Sequence, residues 1–199
     1  MNAHKFHHRF TLAVVLVLAV LLAPAAGHAA LNTDSATIAA KAQLIRPLTI
    51  DPINLLDFGI LVKGSLAGPV DVVLDPQGGA FPTIASSNPG AVLPLGGFVD
   101  GAFHVLGEPN WLVQASYPSS IVIKKGAGGS AATEMTIHNF NVDVFQTGGG
   151  PNLFNDATHQ FNLPGNGDAR LEIGGTLTVE DNDEYGTYSG SLTVTVTYL

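Results

Sequence analysis

Four carboxylates fall within five residues at Glu180-Asp181-Asn182-Asp183-Glu184, and carboxylates on a tight turn are what a calcium ion takes as ligands. Read as the start of an EF-hand, Asp181 and Asp183 hold the first and third positions. Tyr185 then falls at the fifth and Leu192 at the twelfth, where the bidentate Glu belongs. The spacing favours a solvated hairpin loop, leaving Asp181 and Asp183 as the candidate metal ligands and no other metal or cofactor expected. His104, His138 and His159 stand in separate segments, none paired with a His or acid at ligand spacing. No Gly-x-Ser-x-Gly or His-Glu-x-x-His occurs, and Gly148-Gly149-Gly150 runs into Pro151 instead of a Lys-Ser or Lys-Thr pair. With no Cys there is no thiol nucleophile and no thiolate metal site. The chain is therefore expected not to be an enzyme. Trp111, the single Trp, and the nearby Tyr117 have the ring type that stacks on sugars, and equally the type that fills a core or an edge.

These side chains need a scaffold, and composition restricts it. The 199 residues hold 8 Lys plus Arg against 16 Asp plus Glu. Lys5 and Arg9 precede an apolar run over residues 10–22, followed by Pro24 and Gly27-His28-Ala29. That is the pattern of a secretory signal peptide over residues 1–29. The run is shorter than the ~18 residues a spanning helix needs, so no transmembrane anchor is expected. His4, His7 and His8 belong to this leader. Its removal takes Lys5 and Arg9 and leaves six cations against sixteen acids, a net of −10. Such a surface repels phosphate backbones, and Lys124-Lys125 is the one basic pair, so nucleic acid is excluded as a partner.

After the leader come short runs rich in Val, Ile, Thr and Phe, broken by Gly, Pro, Asn and Asp, with no 3.6-residue period. This predicts an all-β antiparallel sandwich of eight or nine strands. The runs lie at 36–50, 56–62, 70–74, 98–106, 111–115, 120–124, 133–145, 170–180 and 187–199. Turn chemistry separates them at 75–79, 88–90, 148–151 and 164–168. Near His138 the apolar phase changes from odd positions, Met135 and Ile137, to even ones, Phe140, Val142 and Val144, which predicts a β-bulge.

The two ends of the mature chain carry the sharpest pattern. Leu192, Val194, Val196 and Tyr198 share one face of an extended strand, and Thr193, Thr195 and Thr197 the other. Residues 192–199 hold no charge, Pro or Gly, so an unpaired backbone edge there would template aggregation. At the other end Ala36, Ile38, Ala40, Ala42 and Leu44 alternate with Ser35, Thr37, Ala39, Lys41 and Gln43, a second one-faced strand. From the residues alone it is either the domain's own first strand, paired within the chain, or a strand supplied to another molecule.

A fourteen-residue C-terminal segment with Gly186 at its head and Tyr198 next to last resembles that of chaperone–usher pilus subunits. Pro47-Leu48-Thr49-Ile50, Leu56-Asp57-Phe58-Gly59, residues 103–107 and Gly174-Gly175-Thr176-Leu177-Thr178-Val179 resemble a bacterial secreted family, domain of unknown function 4402. That family is similar to archaic, spore-coat-U-like pilins. The resemblance implies an immunoglobulin-like, pilin-like sandwich over residues 46–199, with residues 30–45 as an N-terminal extension. Ala36, Ile38, Ala40, Ala42 and Leu44 would form its donor strand. Gly186, Leu192, Val194, Val196 and Tyr198 would form the acceptor edge, also bound by a chaperone. It implies a structural or adhesive subunit of a fimbria, linked to copies of itself or related subunits by β-strand donation. It would be served by a periplasmic chaperone and an outer-membrane usher, passing through the periplasm to the cell surface. Many pilins carry a disulfide across their first strands, which this chain cannot form. The other reading is a monomeric secreted module that binds carbohydrate or calcium.

Overall fold

The computed structural model describes residues 34–76, 83–85, 91–147 and 152–199. The leader, the loop at 88–90 and the loop at 148–151 lie outside them. The chain divides into two units, residues 1–43 and 44–199. In the first, the described residues 34–43 are exposed and form no strand.

Residues 44–199 form an all-β, antiparallel sandwich. Its first layer is a seven-stranded sheet built on β11 (Asp168–Val179), whose odd positions are all buried. β9 (Glu134–Gln146) pairs along one edge of β11. The other edge is shared end to end by β6 (Gly101–Leu106) and β3 (Val70–Leu74). β1 (Thr49–Asn54), β4 (Thr83–Ala85) and β8 (Ser120–Lys124) extend the sheet beyond β6, β3 and β9. The remaining strands form two small sheets. One is β10 (Gln160–Asn162), β7 (Leu112–Ser116) and β12 (Thr195–Tyr198), and the other is β2 (Asp57–Lys63) with β5 (Val92–Val99).

Two hydrophobic clusters form the core. In the first, Val144, Leu171 and Ile173 of the large sheet meet Val113, Phe161 and Val194. In the second, Val70, Val72, Leu177 and Val179 meet Phe58 and Val92, with Ile121, Ile123 and Met135 only half-buried beside them. No helix among the described residues is long and apolar enough to cross a membrane.

The bulge in β9 falls where the phase change places it. Gly174 pairs with Asn141 but Thr176 with His138, so Asn139 and Phe140 oppose Gly175 alone. Asn139 takes the left-handed conformation at φ 48°, which Asn tolerates better than most residues.

Three strand expectations need correction. Residues 36–48 are not a strand, because β1 finds its ladder partner in β6 only from Thr49 onward. The run at 98–106 is two strands, since β5 belongs to the small sheet and β6 to the large one, and the chain changes sheets at Asp100. Burial there pushes the Asp100 carboxyl above the usual range, helped by Glu172 and Asp75 and opposed by Arg170. The last run shortens to Thr195–Tyr198. Ser189 bridges Lys124 at the end of β8, while 195–198 pair with β7, so the intervening residues cross from one sheet to the other. β4 and β10, three residues each, are too short to show a period.

Candidate functional site

Among the described residues, the layer above the half-buried side chains of the second cluster leaves them open. A groove of about 740 Å³ runs over Ile121, Ile123, Met135, Ile137, Leu177 and Val179. Residues 54–61 and Lys63 form one wall, and the ten consecutive residues 183–192 form the other. Among the described residues, β2 has β5 on one edge and no strand on the other, and residues 190–194 have no ladder partner. The site is thus a slot with an apolar floor and backbone hydrogen-bonding groups along its rims. Unpaired backbone groups on a strand edge are a template for one more strand.

Lys63 secures one end. Its ammonium donates to the backbone carbonyls of Glu180 (3.1 Å), Asp181 (2.7 Å) and Asp183 (2.5 Å), and it lies 5.4 Å from the centre of the Tyr185 ring. All three of its protons are used. The acidic turn is folded around this cation. Asp183, 5% exposed, accepts from the Glu180 N–H at 2.7 Å, and Asp181 accepts from the Leu66 N–H at 2.8 Å. Burial raises the Asp183 carboxyl above its usual range, against the Glu180 N–H and the Lys63 charge, which favour the ionised form. The two candidate calcium ligands therefore already serve as acceptors to the protein's own N–H groups. Among the described residues no group of three His, Asp or Glu could hold a metal.

The C-terminal pattern reaches the structure intact. Exposure alternates residue by residue from Leu192 to Tyr198, and Leu192, Val194, Val196 and Tyr198 all pack on the first core cluster. Of the acceptor-edge residues, Gly186 and Leu192 line the groove, and Val194, Val196 and Tyr198 do not. Gly186 adopts φ 153°, a region essentially reserved for glycine, and a Cβ there would press on the Lys125 side chain at 2.8 Å. Of the donor residues, Ile38 is 90% exposed and Leu44 98% exposed, and Ala36, Ala40 and Ala42 are also exposed.

The histidines stay apart. His104 pairs with Asp168 at 2.5 Å, His138 with the Thr178 hydroxyl at 2.9 Å, and His159 stacks on Tyr117 at 5.0 Å. Trp111 packs edge-on against Tyr198, with centroids 5.6 Å apart, so Trp111 and Tyr117 belong to different aromatic contacts. Sequence reasoning missed the groove floor and Lys63. Residues 120–124 read as a strand, but nothing local says whether Ile121 and Ile123 are covered.

The geometry defines an all-β, antiparallel sandwich domain with an open apolar slot. Its family is explicit, since the profile described as Domain of unknown function (DUF4402) matches residues 48–198, and the chain belongs to that family. No curated protein and no solved structure matches it.

Proposed function

We propose that this protein is an exported structural or adhesive subunit of a fimbria-like assembly, in which the groove of one copy receives residues 36–44 of another. The sandwich is then of the pilin-like, immunoglobulin-like kind, lacking one strand. The observation that carries the reading is the pairing of two complementary defects in one chain. One is a slot with an apolar floor beside the unpaired edge of β2, and the other is an exposed segment whose large apolar residues, Ile38 and Leu44, share one face of the alternation. The lengths agree. At about 3.3 Å per residue, β2 runs ~20 Å and the face from Ala36 to Leu44 ~26 Å. Burying Ile38 and Leu44 contributes ~1.5–3 kcal/mol each, and ladder hydrogen bonds add ~0.5–1.5 kcal/mol apiece. Donor and acceptor are different surfaces, so the contact does not close on itself and propagates as a filament. A periplasmic chaperone would cover the groove in transit and an outer-membrane usher would exchange it for the next subunit.

The test is to express the chain for export and examine the surface material. Filaments in the electron microscope and a ladder of detergent-resistant multimers on an unheated denaturing gel are expected. Moving residues 30–45 from the N-terminus to follow Leu199 should convert the ladder to a stable monomer. A wild-type chain that is itself a well-behaved monomer would refute donation between copies.

A further inference from the structure

Arg46, at the root of the N-terminal segment, is held by both of its backbone groups. Its N–H donates to Glu108 Oε2 at 3.0 Å, and its carbonyl accepts from the Tyr198 hydroxyl at 3.1 Å. The same hydroxyl accepts from the Glu108 N–H at 2.6 Å, so one phenol and one carboxylate form a closed clamp. The Tyr198 ring is steadied by Trp111, and the clamp exists because residue 107 is glycine. A Cβ there would collide with the Tyr198 hydroxyl and with Leu163 and Leu48. Beyond Arg46 the chain has no slack, because Pro47 fixes its own φ and restricts Arg46 to extended backbone. Leu48 then packs on the first core cluster and β1 begins at Thr49. On the other side, Leu44 is almost fully exposed.

We infer that Tyr198 and Glu108 are positioning residues for the link between subunits. They pin Arg46 so that the donor segment joins its own body through Ile45 alone, and the assembly is a stiff rod instead of beads on a flexible string. This rests on the strand-donation reading. A donor buried up to Leu44 leaves one unpinned residue before the body, so two successive bodies meet at a joint with a single pair of free backbone dihedrals. The next-to-last Tyr therefore acts within its own subunit, at the opposite end of the chain from its position in sequence.

The test uses Tyr198→Phe and Glu108→Ala in the full chain. Tyr198→Phe keeps the ring against Trp111 and removes only the hydroxyl, so the emission of the single Trp should stay unchanged. Glu108→Ala removes the acceptor of the Arg46 amide, whose hydrogen exchange should quicken roughly fivefold for the loss of one ordinary hydrogen bond. Glu108→Ala filaments should form at wild-type yield, and filaments of either variant should bend more than wild type, read as persistence length in electron micrographs. Glu108→Ala, on a partly exposed side chain, carries the same test should Tyr198→Phe not fold. Wild-type chains that stay monomeric would defeat the donation reading. Filaments whose stiffness and Arg46 exchange are untouched by both substitutions would defeat only the clamp.

Discussion

Ile38→Asp is the sharpest perturbation of the proposed link. Ile38 is 90% exposed in the free subunit, so the substitution leaves the fold of the body alone and acts only when the segment is bound. Two terms add. Losing the buried isoleucine forfeits ~1.5–3 kcal/mol. The aspartate must then enter an apolar slot lined by Ile121, Ile123 and Met135, where it goes in neutral. Holding a carboxyl of ordinary pKa ~3.9 protonated at pH 7 costs ~4 kcal/mol. The sum of ~6 kcal/mol weakens the link by a factor on the order of 10⁴. The second term shrinks as pH falls toward 4, so multimers of the variant should return partly in acid, a recovery that a misfolded body would not display. Lys41→Asp is the control, since Lys41 lies on the opposite face of the alternation. The assay is the multimer ladder on an unheated denaturing gel at pH 7 and pH 4.5. Ladders of Ile38→Asp equal to wild type at pH 7 would refute the assignment of this face as donor.

Lys63→Met removes the cation from three carbonyls. With part of the site open to solvent, the expected loss is ~2 kcal/mol, seen as a lower urea midpoint, and a change below ~0.5 kcal/mol would contradict the clamping role. The folded-state pKa of Asp183 is raised, so the folded form binds more protons than the unfolded one between the two values. Its share of stability is thus greatest below ~pH 4 and is lost as pH rises through the folded value. Asp183→Asn keeps an acceptor for the Glu180 N–H and has no such slope. Its stability relative to wild type should climb from pH 4 to pH 7, and a flat difference in denaturation across that range would show that burial does not govern this carboxyl. Gly186→Ala forces a side chain into φ 153° against Lys125 and should cost ~1–3 kcal/mol of stability in a thermal melt while loosening the 2.7 Å Lys125–Glu184 pair.

Much of the fold was legible because period two is a strong signal in one-faced strands. β3 and β8 fall on the residues their patterns mark, and β2, β7, β9 and β11 lie within two residues of theirs. The signal fails where the chain changes sheets. Val99 and Gly101 continue one apolar run, yet they belong to different sheets, because a run records burial and not which layer provides it. The same holds at residues 190–194, where the alternation that starts at Leu192 runs through a crossing that has no ladder among the described residues. Exposure of Ile38 and Leu44 lies beyond local pattern for the converse reason, since alternation demands a partner without saying whether one is present. The groove is the least legible feature. Its floor residues are scattered over β8, β9 and β11, and its emptiness is a property of the opposite layer.

Complementary defects in one chain raise the question of why the segment would not fill its own groove. A segment tethered by a flexible joint sees its own slot at an effective concentration in the millimolar range, about a thousandfold above a micromolar neighbour, an advantage of ~4 kcal/mol. With the same side chains buried in either case, self-closure would win wherever geometry permits it. On the strand-donation proposal, linkage between copies therefore requires a joint too short to fold back, and the few residues from Leu44 to the core-packed Leu48 are a joint of that kind, which the Arg46 clamp stiffens. On the same proposal the donor supplies the affinity, and the shortness of the joint, which the clamp stiffens, decides which molecule receives it. Lengthening the joint with several glycine and serine residues after Leu44 removes the restraint and leaves every buried contact unchanged. Such a chain should pass from filament to self-closed monomer as the insertion grows, whereas loss of donor affinity alone would leave the groove empty and the subunit unstable.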